Sequence, residues 1–345
     1  MAKESDKQVI MTSEAPLEPE LSICDPHHHL WDRPNDRYFL EDLIWDTSSH
    51  NIVATVAIEC RAMYRKQGLA EMKPVGETEF LEGVAARALS DSKITTAVAA
   101  GIVGHADLRL GDAAALVLEA HVAASPDRFR GIRHSTTWDA SEKIRSDAPA
   151  GLLADSSFRR GFACLQRYGL SFDAWLYHPQ LLELADLARS FPDVTIILDH
   201  IGGPLGVGPY AGKRAEVLRQ WKSAIAELAK CPNVMVKLGG LGSDRSGFDW
   251  QERAMRPASA EIATVMAPYF EWCIEKFGVE RCMFESNFPV EKRINSYVTV
   301  WNAFKRMTQS YSVAERQALF HDTATRVYRL ATAAKPSTTE PRTKR

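Results

Sequence analysis

Eight short apolar runs, each about as long as one β-strand, recur along the chain and alternate with stretches of helical periodicity. The runs cover residues 21–25, 52–60, 96–104, 129–134, 170–177, 194–200, 233–240 and 281–287. They are almost continuously hydrophobic, which is typical of parallel strands covered on both faces. Eight β/α alternations over about 310 residues predict an α/β fold, a (β/α)8 TIM barrel, with a doubly wound open sheet as the second choice.

The chain predicts one domain with a polar tail at each end. Its 345 residues suit one large α/β domain, and no interior segment is rich enough in Pro, Gly or Ser to mark a second one. Both ends are polar and rich in Pro or Thr, as in segments that do not join a core. We therefore predict an N-terminal tail over 1–20, a single barrel domain over 21–331 and a disordered C-terminal tail over 332–345.

Composition and charge exclude several functional classes. A net charge of −2 argues against a nucleic-acid or anionic-membrane partner. No apolar stretch is long enough to span a bilayer, and the first twenty residues lack the apolar core of a secretion signal. Six scattered cysteines without a CxxC pair are typical of a reduced, cytoplasmic protein, and the absence of GxSxG argues against a serine hydrolase.

The polar residues that close the apolar runs are the candidate site residues, because the active sites of barrel enzymes lie at the carboxyl ends of the strands. They are His27 to His29, Glu59, Arg133, His134, His178, Asp199, His200, Lys237, Glu285 and Asn287. These positions lie far apart in the sequence, and a barrel would bring them to one end of the molecule.

The first of these groups is the triple histidine in "ICDPHHHLWD". Side chains two residues apart on an extended backbone point to the same face, so His27 and His29 are predicted to act together while His28 turns away. Two imidazoles at the end of one strand can bind one metal ion or one substrate. The alternative is a polar loop whose histidines cap helices.

Four segments together resemble a known family. "ICDPHHHLWD", "FRGIRH", "LDHIGGP" and "RCMFESNFPV" are similar to motifs of amidohydrolase-related proteins of the L-fuconolactonase and 2-pyrone-4,6-dicarboxylate lactonase type, over about 21–330. The resemblance implies a (β/α)8 barrel that hydrolyses a lactone or a related small carbonyl compound. Some members of the wider superfamily instead decarboxylate aromatic or muconate-type acids. His27, His29 and His200 match the histidines of the family.

The last motif departs from the family pattern. Where these lactonases carry Gly-Ser-Asp-Trp-Pro, this chain has Glu-Ser-Asn-Phe-Pro from Glu285 to Pro289. The resemblance makes the family aspartate a general base and, with metal present, a ligand, whereas Asn287 cannot accept a proton near neutral pH. We predict that Glu285, with its pKa raised by burial, moves the proton and that Asn287 orients water or substrate. A structural Glu285–Lys237 ion pair is the alternative.

The family match predicts the cofactor and the substrate contacts. One divalent metal, zinc first, is predicted at His27, His29 and His200, and a metal-free mechanism in which these histidines polarise the carbonyl stays open. Arg133 is predicted to bind a carboxylate or polarise a carbonyl. The other predicted substrate contacts are Glu59, Trp138, His134, His178 and Lys237, with helix capping as the alternative for His178 and a core position for Trp138.

The predicted function is therefore that of a hydrolase acting on a small lactone or related carbonyl compound from sugar-acid or aromatic catabolism, with water as the nucleophile. The predicted partner is a small anionic molecule, and a homo-oligomer is left open. A non-oxidative decarboxylase or hydro-lyase on the same scaffold is the first alternative. A binding or regulatory protein descended from such enzymes is the second.

Overall fold

The computed structural model describes residues 13–240 and 242–331, and its centre is an eight-stranded parallel sheet. The strands are β1 (Ile23–His28), β2 (Ile52–Ile58), β3 (Ala97–Gly104), β4 (Phe129–Arg133), β5 (Ser171–Ala174), β6 (Ile196–Leu198), β7 (Val234–Leu238) and β8 (Cys282–Phe284). Each pairs with the next along the chain. Because a doubly wound sheet would reverse its strand order, this order confirms the predicted (β/α)8 barrel.

The barrel closes between β1 and β8 at their carboxyl ends. The backbone amide of His29 donates to the carbonyl of Phe288 (2.7 Å), and the amide of Asn287 donates to the carbonyl of His27 (2.9 Å). His28 and Phe288 form a parallel bridge at the same place. The closure therefore brings the "HHH" and "ESN" segments together, although about 260 residues separate them in the sequence.

Helices cover the outside of the barrel. They are α1 (Leu40–Thr47), α2 (Val75–Ser90), α3 (Ala114–Ala124), α4 (Ser156–Arg167), α5 (Leu181–Ser190), α6 (Arg214–Leu228), α7 (Ser259–Phe277), α8 (Tyr297–Met307), α9 (Val313–Gln317) and α10 (Thr323–Val327). Helix α4 begins where Asp155 accepts the Phe158 amide, and it buries Phe158, Phe162 and Leu165 at helical spacing. Among the described residues, no helix has the length and apolar character that crossing a bilayer would require.

The interior of the barrel is apolar below the candidate site. Inward-facing side chains such as Val56, Ile197 and Met283 pack there against residues that follow the last helix, including Tyr328 and Leu330. A second small element, the antiparallel pair Trp31–Arg33 and Asp36–Tyr38, follows β1 and was not predicted. It places Trp31 beside the mouth of the barrel.

The described part of the predicted N-terminal tail contacts helix α8. Lys305 on α8 donates to the carbonyls of Leu17 (2.7 Å) and Glu18 (2.9 Å), and the Leu17 amide donates to Asn302 Oδ1 (2.8 Å). Residues 13–20 therefore lie against the barrel domain, because backbone groups in this segment satisfy buried side chains of α8. The predictions for 1–12 and 332–345 lie outside the described residues.

Candidate active site

A buried ion network lies inside the barrel. Lys237 Nζ is 2.6 Å from Asp173 Oδ2 and 3.0 Å from Asp199 Oδ1, and all three side chains are fully buried. Burial alone would lower the pKa of Lys237, but Asp173 and Asp199 outweigh it, so the net pKa is raised and the ammonium stays charged. Asp173 was not predicted. The sequence signal for this pair was a charged residue inside an apolar run, an aspartate in the run of β5 and a lysine in the run of β7.

Glu285 connects two histidines from different strands. Its Oε2 is 2.8 Å from His27 Nδ1, and its Oε1 is 2.6 Å from His200 Nδ1. Burial alone would raise the pKa of Glu285, but His200 and His27 outweigh it and lower the pKa to about 2. The prediction of a raised pKa at Glu285 is therefore wrong. The alternative of a Glu285–Lys237 pair is also wrong, since the carboxylates in ion-pair contact with Lys237 are Asp173 and Asp199.

His27 and His29 face each other, and His28 turns away to Thr55. His29 Nδ1 lies 2.8 Å from the Ile58 carbonyl, to which it can only donate, so its Nε2 offers a lone pair. His27 Nε2 lies 3.2 Å from that nitrogen. This distance suits one N–H···N hydrogen bond. It is also close to the roughly 3.3 Å that separates two nitrogens on one tetrahedral zinc ion.

A possible metal-binding group includes a residue that was not predicted as a ligand. His27, Asp199 and His200 are buried, and each offers one ligand atom within 4.8 Å of the others. Imidazole and carboxylate donors form a ligand set suited to zinc. Arg133 competes for this space, with Nη1 3.3 Å from His27 Nε2 and 3.5 Å from Asp199 Oδ2. Asp199 stands beside His200 in "LDH", which was the available signal.

Above this centre, a cavity of about 420 Å³ opens at the carboxyl ends of the strands. Of the predicted site residues, its described wall includes His29, Glu59, Arg133, His200 and Asn287, and two tryptophans, Trp31 and Trp175, form its apolar part. The Trp175 ring packs edge-on against the His200 ring with centroids 4.9 Å apart. The cavity can therefore hold a flat apolar ring beside the histidines.

The same cavity is rich in arginine. Its wall includes Arg33, Arg61, Arg133, Arg145 and Arg245, against two carboxylates, Glu59 and Asp147. Arg133 Nε is 2.9 Å from Glu59 Oε1, and Arg145 Nη2 is 3.0 Å from Asp147 Oδ1. The surplus of positive charge favours an anionic ligand. Only Arg133 was predicted, because the other four lie on loops or on the short strand Trp31–Arg33, where the sequence shows no periodic pattern.

Two glycines after β7 make room for the histidine–glutamate arrangement. A Cβ on Gly240 would lie 2.4 Å from His200 Cγ, and a Cβ on Gly239 would lie 2.4 Å from Glu285 Cγ. Gly240 also has a φ of +69°, which larger residues rarely adopt. The "GG" pair therefore allows the backbone of β7 to pass close to the reactive side chains.

Four of the predicted substrate contacts lie outside the described wall of this cavity. They are His134, His178, Trp138 and Lys237. His134 Nδ1 accepts the Leu108 amide (3.2 Å), and His178 Nδ1 accepts the Leu205 amide (3.3 Å). Trp138 lies over a separate surface depression, and Lys237 lies beneath the histidines. The two histidines hold loops through these hydrogen bonds, and Lys237 belongs to the buried ion network. The backbone at all four positions directs the side chains away from the cavity.

The fold and this centre define a class of protein. Histidines and carboxylates from several strands converge below a cavity at the carboxyl end of a (β/α)8 barrel, which is the arrangement of a barrel enzyme. Residues 24–330 match the amidohydrolase family. The chain belongs to that family, and the predicted family membership is confirmed.

Three comparisons support this assignment. The chain is 36% identical to the uncharacterised protein y4mH of Sinorhizobium fredii, over 90% of this chain and 99% of that protein. It is 28% identical to an L-fucono-1,5-lactonase of Burkholderia multivorans, over 89% and 95% of the two chains. Crystal structures of a B. multivorans amidohydrolase, one with HEPES and one with zinc, superpose with TM-scores of 0.71 and 0.70 at 26% identity, covering 90% of this chain and 99% of theirs.

Proposed function

We propose that this protein hydrolyses a small lactone that carries an anionic substituent. The observation that carries the proposal is the Glu285 carboxylate, which accepts a hydrogen bond from His200 Nδ1 and lies 2.8 Å from His27 Nδ1, directly below a cationic cavity. Similarity to L-fucono-1,5-lactonases supports the lactone class, and the arginine-rich wall supports an anionic substrate. A carboxylic acid is the expected product.

His200 is the proposed general base. Because Glu285 is ionised, His200 Nδ1 donates to it, and the free lone pair of the imidazole is on Nε2. Burial lowers the pKa of His200 more than Glu285 raises it, so the ring is neutral at pH 7 and can accept a proton from water. Glu285 then stabilises the imidazolium, as an orienting carboxylate does in other histidine-based hydrolases.

Arg133 and Asn287 complete the proposed reaction site. The Arg133 guanidinium is fixed by Glu59, whose side chain and backbone carbonyl both accept from it, and it lines the cavity. We assign it to the carbonyl oxygen, where its N–H groups stabilise the charge that develops during attack. Asn287 faces the same cavity and is assigned to hold the attacking water, because its amide can both donate and accept.

A divalent metal would be held by His27, Asp199 and His200, with the predicted ligand His29 adjacent to His27. When bound, it would lower the pKa of a water molecule and polarise the carbonyl. Because Nδ1 of His200 contacts Glu285, its ligand atom would be Nε2, and His200 would then be a metal ligand and not the general base. The roles of Glu285 in orienting both imidazoles and of Arg133 in binding the carbonyl oxygen do not depend on it.

The test is acid release from a lactone panel by protein of known metal content, with His200→Asn and Glu285→Gln as variants. We expect each to lower kcat by about 10²–10⁴-fold, the usual contribution of general-base catalysis. His321→Asn is the matched control, because His321 forms a remote surface pair with Asp322 (2.7 Å) and should leave kcat unchanged. Carbon dioxide release without net hydration would instead identify the decarboxylase alternative. Full activity of folded His200→Asn would exclude His200 as the base.

A further inference from the structure

A second, smaller cavity adjoins the first and has no role in the reaction described above. This side pocket of about 170 Å³ shares Arg61, Ser135 and Asp147 with the main cavity. Its other polar side chains are Tyr64, His105, Arg109 and His134. His134, which the "GIRH" motif singled out, therefore faces a different space from Arg133, because adjacent residues at the end of β4 point to opposite sides.

Hydrogen bonds fix the protonation pattern of the two histidines. His134 Nδ1 accepts the Leu108 amide at 3.2 Å, so its Nε2 carries the hydrogen. Burial lowers the pKa of His134 to about 3, which keeps the ring neutral. His105 Nδ1 lies 3.0 Å from the Arg133 carbonyl, to which it can only donate. The pocket thus has one imidazole donor at His134.

The remaining groups add further donors. The Tyr64 hydroxyl is buried and has no hydrogen-bond partner among the described residues. Arg109 binds Asp107 through Nε (2.8 Å) and Nη2 (2.7 Å), which leaves other N–H groups of its guanidinium for a ligand. Asp147 also faces the pocket, but Arg145 (3.0 Å) and Ser135 (3.2 Å) bind its carboxylate. The free groups are mostly donors, so they suit a ligand rich in acceptor oxygens.

The loop that carries Arg61 and Tyr64 is held in an uncommon conformation. Arg61 and Met63 have φ values of +62° and +54°, a region that residues other than glycine rarely adopt. Buried Glu77 holds the loop, since its Oε1 accepts the amides of Cys60 (2.9 Å) and Ala62 (3.2 Å). Backbone strain that the surroundings enforce is typical of ligand sites, and here it presents two donors to one pocket.

We infer that the side pocket binds a carboxylate substituent of the substrate, at the end remote from the carbonyl under attack. The inference rests on the proposed function, because it requires one substrate molecule to extend from the main cavity into the side pocket past the shared residues Arg61, Ser135 and Asp147. Tyr64, Arg109 and His134 contact the carboxylate. The pocket thereby selects lactones with a carboxylate arm over neutral lactones of the same ring.

The test compares a lactone bearing a remote carboxylate with its methyl ester. In Tyr64→Phe and Arg109→Gln, we expect KM for the carboxylate to rise about tenfold, the usual effect of losing one hydrogen bond to a charged group, with kcat and the ester unaffected. The matched control is Arg167→Gln, since Arg167 is an exposed arginine on α4 that stacks on Tyr168 and lies away from both cavities. An unchanged preference for the carboxylate in both variants would overturn the inference.

A binding measurement separates this inference from the proposed function. If no lactone is hydrolysed, the proposed function fails, and malonate is then titrated into the full chain while the side-chain NMR signals of the histidines are followed. Saturable shifts of the His134 signal that are lost in Tyr64→Phe would support the pocket as a carboxylate site. An absent shift, or one that the variant retains, would contradict it.

Discussion

Replacing Glu291 by glutamine should make the unfolding free energy of the protein less dependent on pH between pH 6 and pH 9. Glu291 lies four residues after Asn287, is only 4% exposed, and has its Oε1 3.5 Å from Asn287 Nδ2. Burial raises the pKa of Glu291 to about 8, and the negative charges of Glu285 and Asp244 act in the same direction. Glutamine keeps a side-chain oxygen for Asn287 but cannot ionise.

The sign and size of the effect follow from proton binding. The carboxyl titrates near 4.5 in an unstructured chain and near 8 in the folded protein, so between these values the folded state holds a proton that the unfolded state has lost. The contribution of Glu291 to stability is therefore largest at low pH, where both states are protonated, and it is lost as pH rises from about 4.5 through 8. From pH 6 to pH 9 the free energy of unfolding should fall by the equivalent of about two pKa units, or about 2.7 kcal/mol.

Denaturant unfolding of both proteins at several pH values between 6 and 9 measures this difference. The wild-type protein should lose about 2–3 kcal/mol relative to Glu291→Gln over the range, since other groups contribute equally to both. Glu252→Gln, at an exposed glutamate, should follow the wild type. Parallel pH profiles for wild type and Glu291→Gln would show that Glu291 is already ionised at pH 6, and the argument from burial would fail.

Three further outcomes are expected. Arg245→Gln should raise KM for anionic lactones about tenfold with little change in kcat, because Arg245 adds to the positive surplus of the main cavity; steady-state kinetics would show this, and a loss confined to kcat would contradict it. Gly240→Ala should abolish activity with a near-native circular dichroism spectrum, because its Cβ would lie 2.4 Å from His200 Cγ; normal turnover would contradict this geometry. Asp199→Asn should weaken zinc binding at least tenfold by calorimetry, whereas equal affinity would exclude Asp199 as a ligand.

The hydrophobic pattern predicted the barrel because parallel strands that are buried on both faces appear in the sequence as nearly continuous apolar runs. Seven of the eight runs contain one barrel strand, and the first run overlaps β1, which extends to His28. Strand parity likewise placed His27 and His29 on one face with His28 opposite. These features depend on residues close together in the sequence, so one chain without relatives is enough to predict them.

The chemistry at the centre was harder to predict because it depends on distances across the barrel. The sign of the pKa shift at Glu285 depends on the position of His200, which lies just after β6 and 85 residues away in the sequence. Burial alone would have raised that pKa, and two imidazole contacts lower it instead. Arg61, Arg145 and Arg245 of the cavity lie on long loops, where no sequence periodicity indicates which way a side chain points.

After β8 this chain has Asn287 where the family pattern has an aspartate, and it has a carboxylate, Glu285, where that pattern has glycine. The family resemblance predicts an aspartate at the position of Asn287, which lines the cavity in this chain; the chain instead has a carboxylate two residues earlier, at Glu285, fully buried below the histidines. A carboxylate in that place cannot take a proton from water in the cavity. It can stabilise an imidazolium, because its oxygens contact Nδ1 of His27 and His200 at 2.8 and 2.6 Å. In the mechanism that we propose, proton transfer falls to the His200 imidazole rather than to a carboxylate, so hydrolysis does not require an aspartate at position 287.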